Sequence, residues 1–223
     1  MMRQTLERDG AVLAPALLTD AHVEALRALA DDAVGKRPGA RLTGHADLAD
    51  ILSTAGPGGL AAHLTSKAAR PVRAVVFDKT AEANWIVAWH QDRVIPVRAR
   101  REVEGFGPWS TKDGVLHVAP PFEVLARMIT LRLHLDPVAA NNAPLRVALG
   151  SHRLGRVPAE AAAREAQGLD QRVCVAETGD VWAYSTPILH ASDRAHPPRR
   201  RRVLQVDYAD FDLPGGLEWL GVA

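Results

Sequence analysis

The amino-acid sequence predicts a mainly β fold with flanking helices, of the jelly-roll or barrel type. Seven short runs rich in β-branched and other apolar residues, separated by Gly and Pro turns, lie between residues 71 and 211. The first 70 residues instead carry apolar side chains at helical spacing. A length of 223 residues suits one such domain. We therefore predict a single domain over residues 1–223, with a helical part at 1–70 and a β core at 71–211.

The helical part is predicted to open with a short strand, Gly10–Leu13. Thr19 or Asp20 then suits the N-terminus of a helix, because a side-chain oxygen there accepts a free amide proton of the first turn. Apolar residues follow at helical spacing, at Val23, Leu26, Leu29 and Ala30. The segment 36–59 is rich in Gly, Ala and polar residues, and it predicts short helices and loops.

The β core is predicted from its apolar runs, and the strands are Val72–Phe77, Trp85–Trp89, Ile129–Leu135, Leu145–Leu149, Arg172–Ala176, Val181–Tyr184 and Val203–Ala209. Short helices are predicted over Pro121–Arg127 and Pro158–Gln167. The segment 93–121 is polar and shows little periodicity, which is typical of a functional loop. We expect it to form a lid whose Phe106 and Trp109 exclude water from a cavity.

Composition excludes several classes of protein. The net charge of +1 gives no general attraction to nucleic acid or membrane, and no run approaches the roughly 20 apolar residues of a membrane span. The N-terminus lacks the apolar run of a secretory signal. Cys174 is the single cysteine, so no internal disulfide forms, and we expect a buried structural thiol. These features predict a cytoplasmic protein that acts on a small molecule, with neither nucleic acid nor membrane as partner.

The tripeptide His90-Gln91-Asp92 is the strongest chemical signal. Residues i and i+2 of an extended chain point to the same side, so His90 and Asp92 can converge on one ion. A distant histidine completes a set of two imidazoles and one carboxylate, which binds one face of iron(II) and leaves the other face open. His190 suits this role because it ends an apolar approach, 182–189. The pattern predicts a non-haem iron enzyme that uses O2.

Other histidines compete for these roles. His134-Leu135-Asp136 is a second His-x-Asp pair. A double-stranded β-helix has about four strands between the first pair and the distal histidine; four predicted strands follow the first pair, but only three remain after the second. Strand counting therefore favours the first pair. For the distal ligand, His196 lies beside two prolines in a predicted loop and His152 lies in a predicted turn, so both are less suitable.

An arginine run, 199–202, leads directly into the last predicted strand. Alternation puts Arg199 and Arg201 on one face of an extended chain. A buried arginine needs an anionic partner, and a carboxylate of a cosubstrate can bind its guanidinium through two parallel hydrogen bonds. We favour Arg201, with Arg199 as the alternative, and Ser192 can add a hydroxyl to the same carboxylate. A solvated basic patch is the competing interpretation of the run.

These motifs, in this order, resemble the phytanoyl-CoA dioxygenase family of iron(II)/2-oxoglutarate oxygenases, which includes ectoine hydroxylase. The resemblance extends over nearly the whole chain, and the residues that carry it are Arg8-Asp9-Gly10, Phe77-Asp78-Lys79-Thr80, Trp89-His90-Gln91-Asp92, Leu131–Asp136, Gly150-Ser151-His152-Arg153, Gly179-Asp180-Val181 and His190-Ala191-Ser192. The family pattern Asn-Gly-x-Leu is replaced here by Asn142-Ala143-Pro144-Leu145, so we expect a different local turn. Retention of Asp92 argues against the halogenating relatives.

The resemblance implies a double-stranded β-helix with Fe(II), 2-oxoglutarate and O2 as cofactors. It implies that the metal ligands are His90, Asp92 and His190 and that the distal carboxylate of 2-oxoglutarate lies on Ser192 and Arg201. Lys79 and Trp109 correspond to further cosubstrate contacts, with a surface or ion-pairing lysine and a tryptophan packed under the lid as the alternatives. Gln91, Phe106 and Trp109 are expected to face the substrate.

The predicted activity is hydroxylation of a metabolite or natural-product intermediate, with release of succinate and CO2. Desaturation and ring closure are alternative outcomes of the same chemistry. The competing classes are a cupin-like isomerase or hydrolase that uses no O2 and a non-catalytic binding module. Arg98, Arg100 and Arg101 suggest either an anionic substrate or a solvated loop.

Overall fold

The computed structural model describes residues 1–35, 37–53 and 56–223. Its N-terminal part contains α1 (Met2–Asp9), β1 (Ala11–Ala14), α2 (Asp20–Val34), β2 (Gly39–Arg41), α3 (Ala46–Ser53) and α4 (Pro57–Leu64). The hydroxyl of Thr19 accepts a hydrogen bond from the His22 amide and caps α2 as predicted, while Val23, Leu26 and Ala30 form its buried face. Of the segment 36–59, residues 36, 54 and 55 lie outside the described residues.

The rest of the chain is mainly β-strand. It contains β3 (Arg70–Lys79), β4 (Val87–His90), β5 (Ile95–Pro96), β6 (Trp109–Lys112), β7 (Val115–Val118), α5 (Phe122–Ala126), β8 (Ile129–His134), β9 (Leu145–Ala148), α6 (Ala162–Gln167), β10 (Gln171–Cys174), β11 (Val181–Ser185), β12 (His190–Ser192) and β13 (Arg201–Ala209). Short 3-10 turns lie at Ser151–Arg153 and Ala159–Ala161. The predicted mainly β fold with flanking helices is confirmed.

Two antiparallel sheets form the jelly roll. The larger has the strand order β1-β11-β8-β13-β3-β2, and the smaller has the order β10-β9-β12-β4. Apolar residues of both sheets, including Tyr184 on β11 and Val147 on β9, pack together between them. Cys174 belongs to the same cluster, where it is buried as predicted. The helices cover the outer face of the larger sheet, where Leu26 and Leu48 pack with Leu204.

Strand alternation makes the inner face of the larger sheet polar. Along β13, Leu204 and Val206 pack under the helices, whereas Arg201 and Gln205 line a cavity between the sheets. The register pairs Arg201 with Lys79 on β3, and it pairs Gln205 with Val75 on β3 and Arg132 on β8. Polar side chains of three neighbouring strands therefore face the same interior space.

The segment 93–121 is not the loop that its weak periodicity suggests. Three of its stretches form a separate antiparallel sheet in the order β5-β7-β6. The turn between β6 and β7 is Asp113-Gly114, and both residues have positive φ, 49° and 77°. This is the two-residue hairpin turn that Asp-Gly favours. Only Lys112 and Asp113, at this turn, reach the cavity lining.

Phe106 and Trp109 do not act as lid residues in this structure. Phe106 is buried in a second apolar cluster with Ile95 and Val118, and Trp109 packs against that cluster. Neither side chain lines the cavity between the sheets. The expected lid role of Phe106 and Trp109 is wrong, because these residues form the apolar core of the small sheet. The strands of this sheet are too short for their alternation to be visible in the sequence.

Candidate metal and cosubstrate site

His90, Asp92 and His190 converge at one point of the cavity. Each offers one ligand atom, and the three atoms lie within 4.8 Å of one another. His190 opens β12 and is paired in register with His90 at the end of β4, which brings the ring centroids to 4.2 Å. Asp92 follows two residues beyond the strand end. The long-range pairing of β12 with β4 therefore assembles the cluster.

Backbone carbonyls orient both imidazoles. Nδ1 of His90 lies 2.8 Å from the oxygen of Ala88, and Nδ1 of His190 lies 2.9 Å from the oxygen of Ile188. A carbonyl only accepts, so Nδ1 of each neutral ring donates the proton and Nε2 keeps its lone pair. Burial, with repulsion from His90, lowers the pKa of His190 to about 4, which keeps it neutral at pH 7. Both rings are thus in the tautomer that binds a metal through Nε2.

Asp92 is held on one of its two oxygens. Oδ2 accepts hydrogen bonds from Arg73 at 3.2 Å and from Gln205 at 3.3 Å, while Oδ1 has no donor among the described residues. Burial alone would raise the pKa of Asp92, but the charge and hydrogen bond of Arg73, together with the nearby His190 and His90, hold this pKa below its usual value. Arg73 also pairs with Asp207 at 2.6 Å. The result is an ionised carboxylate with one oxygen free for a cation.

This donor set fits Fe(II). Two imidazole nitrogens and one carboxylate oxygen form the facial set that leaves the remaining positions of the metal open. The second pair does not offer such a set. His134 is buried, and neither of its ring nitrogens has a partner within the described part of the chain, while Asp136 accepts hydrogen bonds from Arg202 and Arg27.

Arg201 lies on the lining of the same cavity, which has a volume of about 380 Å³. The residue is 2% exposed, and its Nε and Nη1 have no hydrogen-bond partner among the described residues. Burial lowers the pKa of Arg201 to about 9, so it stays charged at pH 7. An unpartnered buried guanidinium calls for an anion, and a carboxylate matches its geometry. Arg199 is exposed outside β13, which removes it as the alternative.

Lys79 and Ser192 lie beside Arg201. The ammonium of Lys79 donates to the Trp85 oxygen at 2.7 Å, to the Asp193 oxygen at 2.9 Å and to Ser192 Oγ at 3.1 Å. Burial, together with repulsion from Arg201, lowers the pKa of Lys79 to about 8. Ser192 Oγ in turn donates to the Ala143 oxygen at 3.0 Å. Both residues line the cavity, so the structure brings Lys79, Ser192 and Arg201 together on one lining.

Gln91 points away from the cavity. Its amide donates to the oxygens of Gly155 and Pro187 at 2.9 and 2.8 Å, and its oxygen accepts from the Val157 amide at 2.9 Å. The expectation that it faces the substrate is corrected, because the residue between two ligands of an extended chain points to the opposite side. Gln91 instead anchors the loop that follows β9.

Sequence reasoning missed several residues around the cavity. Arg73, Arg132 and Gln205 line it and link the metal cluster to the larger sheet. Gln205 was accessible from the sequence, since it shares a strand face with Arg201. By contrast, Arg98 bonds the Trp219 oxygen and Arg100 pairs with Glu102, and no arginine of the 98–101 segment lines the cavity.

Solved structures with the same fold come from several oxygenase-like enzymes. SnoN, an epimerase from nogalamycin biosynthesis solved with Fe3+, α-ketoglutarate and nogalamycin RO, is 18% identical, with a TM-score of 0.69 over 96% of this chain and 90% of its own. SnoK, an α-ketoglutarate-dependent carbocyclase of the same biosynthesis, is 15% identical, with a TM-score of 0.71 over 95% and 84%. EctD from S. alaskensis is 16% identical, with a TM-score of 0.66 over 99% and 79%.

A comparison with curated protein sequences finds no match. The family model for phytanoyl-CoA dioxygenase (PhyH) matches residues 6–203, which is most of the chain. With the His-Asp-His cluster, this match confirms the predicted cofactors, Fe(II), 2-oxoglutarate and O2, and an enzyme of the superfamily that uses them. The chain belongs to the phytanoyl-CoA dioxygenase family.

Proposed function

We propose that the protein hydroxylates a small-molecule metabolite or natural-product intermediate at the expense of 2-oxoglutarate. One observation carries the proposal: a metal-ligand cluster and an unpartnered buried guanidinium line the same cavity. A dicarboxylate 2-oxo acid has a metal-chelating end and an anionic end, and the two features suit these ends. The overall reaction balances as substrate C–H, O2 and 2-oxoglutarate giving substrate C–OH, succinate and CO2.

In this proposal His90, Asp92 and His190 hold the iron. When bound, Fe(II) supplies the activation of O2 that is coupled to oxidative decarboxylation of the 2-oxo acid. Arg201 and Ser192 hold the distal carboxylate. Lys79 orients Ser192, because its ammonium donates to Ser192 Oγ from a site fixed by two backbone oxygens.

The arrangement of residues also favours a single mode of metal binding. Arg73 and Gln205 occupy Oδ2 of Asp92, so this carboxylate presents only Oδ1. The carbonyls of Ala88 and Ile188 hold the two imidazoles against rotation. Ligands that are fixed before metal binding need no reorganisation during the reaction, which is the protein's main contribution in cofactor chemistry.

The substrate class is proposed from the cavity and from relatives of the same fold. A volume of about 380 Å³ suits a small molecule. SnoN and SnoK are described as an epimerase and a carbocyclase of a natural-product pathway, so outcomes other than hydroxylation belong in the product analysis. The structure contains no helix, within its described residues, that is long and apolar enough to span a membrane.

The proposal is tested with purified protein, Fe(II), 2-oxoglutarate and ascorbate. We expect succinate under air and none without O2, and loss of iron in His190→Ala. His196→Ala is the matched control, because His196 is exposed and was the competing distal histidine; it should keep its iron and its turnover. Succinate formation that survives His190→Ala, or equal iron content in both variants, would contradict the proposed site.

A further inference from the structure

Arg132 is a second buried guanidinium that faces the cavity without an acidic partner among the described residues. It is 6% exposed on β8, and its Nη1 donates to Gln205 Oε1 at 3.0 Å. Its Nε is buried and has no hydrogen-bond partner. Arg73 lines the same cavity but is neutralised by Asp92 and Asp207. Arg132 therefore resembles Arg201, whose guanidinium also has no acidic partner among the described residues, and it differs from the paired Arg73.

Arg132 lies on the side of the cavity that holds the metal ligands. The register of β8 and β13 places it beside Gln205, which contacts both Arg132 and Asp92. The neighbours of Arg132 on the adjoining strands are Gln205 and Trp182, so no carboxylate is placed across from it.

The charges lining the cavity do not balance. Its two acids, Asp92 and Asp113, are paired with Arg73 and with Arg41. Lys79 already donates to three oxygens, which accounts for its three ammonium protons. Lys112 also reaches the lining but is exposed, so two buried guanidiniums without an acidic partner among the described residues remain, Arg132 and Arg201. Buried cations of this kind are stable only with anions beside them, so the cavity suits a ligand with two carboxylates.

We propose that Arg132 binds the carboxylate next to the oxo group of the cosubstrate, while Arg201 binds the distal carboxylate. The inference rests on the proposed function, since it assigns a contact to the same 2-oxo acid. Gln205 fixes the guanidinium by accepting from Nη1, while Nε has no partner among the described residues. Two separate guanidiniums then select a dicarboxylate 2-oxo acid over a 2-oxo acid with one carboxylate.

Two probes separate the two arginines. 2-Oxoglutarate has both carboxylates, whereas 2-oxopentanoate keeps the oxo acid end and has a methyl group in place of the distal carboxylate. Binding is measured anaerobically on the Fe(II)-loaded protein by calorimetry and by the metal-to-ligand charge-transfer absorption. Neither readout depends on turnover.

We expect Arg132→Gln to weaken the binding of both acids by about 10- to 100-fold, as loss of a charge-assisted contact predicts. Arg201→Gln should weaken the binding of 2-oxoglutarate by a similar factor and leave the affinity for 2-oxopentanoate unchanged. Arg164→Gln is the control for loss of a charge, because Arg164 is exposed on α6, and it should change neither affinity. Arg132→Lys keeps the charge without the planar fork, and it should weaken both acids less than the glutamine variant does.

The outcomes are distinguishable. If wild-type protein binds both acids and the folded Arg132 variants bind them equally well, the inference is overturned and the proposed function stands. The inference is also overturned if Arg132→Gln weakens the binding of 2-oxoglutarate but not of 2-oxopentanoate, since Arg132 would then bind the distal carboxylate. Wild-type protein that binds neither acid overturns the proposed function and the inference together. If Arg132→Gln does not fold, Arg132→Lys decides between the same outcomes.

Discussion

The chain carries two His-x-Asp pairs with identical spacing, and their side chains have different partners. In the pair His90 and Asp92, the atoms that face the cavity, Nε2 and Oδ1, are left free, while Nδ1 and Oδ2 are held by hydrogen bonds. At the second pair, Asp136 is saturated by Arg202 and Arg27, and His134 is enclosed between strands. The same motif therefore forms a ligand pair at a strand end beside a cavity and an ion-pair network at the edge of the helical layer.

The strongest test of this comparison exchanges each aspartate for asparagine. Asp92→Asn removes the anionic ligand, and we expect the affinity for Fe(II) to fall by about 100-fold or more. Asp136→Asn should leave it unchanged, because Asp136 does not face the cavity. Iron titration by competition with a chelator measures both. Equal losses in the two variants would show that the second pair also binds metal.

Gln205→Leu tests whether the hydrogen bond to Oδ2 of Asp92 is needed for Oδ1 of the same carboxylate to bind metal. Loss of the 3.3 Å contact to Asp92 should lower the affinity for Fe(II) by about 10- to 100-fold, as for other residues that orient metal ligands. Thr111→Val, on the exposed part of β6, is a suitable control for surface substitution. An unchanged affinity in a folded Gln205→Leu protein would mean that Arg73 alone positions the carboxylate.

The second pair is tested through its effect on stability rather than on metal binding. Burial tends to raise the pKa of Asp136, but hydrogen bonds from Arg202 outweigh it and hold this pKa below the unfolded value. A depressed pKa stabilises the fold above the unfolded pKa of about 3.9, and this stabilisation is lost as the pH falls through the folded pKa. Asp136→Asn should cost about 1.5–3 kcal/mol at pH 7 and flatten the loss of stability below pH 4.

Chemical denaturation at pH 7 and at pH 3 measures both quantities. Asp92→Asn is the comparison, because the carboxylate of Asp92 pairs with Arg73 in the cavity, whereas that of Asp136 pairs with Arg202 and Arg27 outside it. If Asp136→Asn unfolds at the same denaturant concentration as wild type at both pH values, the ion pairs contribute nothing measurable.

Local patterns predicted much of the fold and part of the site. The cap at Thr19 and the four strands β8 to β11 followed from side-chain chemistry and apolar runs. Strand counting chose the first His-x-Asp pair, and alternation with burial pointed to Arg201. The cap, the strands and the alternation depend on neighbours within a few residues, and strand counting depends only on the order of such strands along the chain.

Such local patterns could not predict which side chains of distant strands come into contact. Arg132 meets Gln205 only because β8 and β13 pair in one register, and no spacing along the chain encodes that register. The β6–β7 hairpin is different: Asp113-Gly114 was a readable turn signal, but the polar composition of 93–121 masked it. Gln91 was likewise predictable as outward-facing from the same alternation that paired His90 with Asp92.

The burial of Cys174 has a practical consequence. It is 1% exposed, and burial raises the pKa of its thiol to about 12. At neutral pH only about one thiol in 10⁵ is then a thiolate, the form that reacts with alkylating reagents and oxidants. The single cysteine is therefore inert in the native protein and becomes reactive when the chain opens. Labelling of Cys174 therefore reports unfolding without an introduced probe.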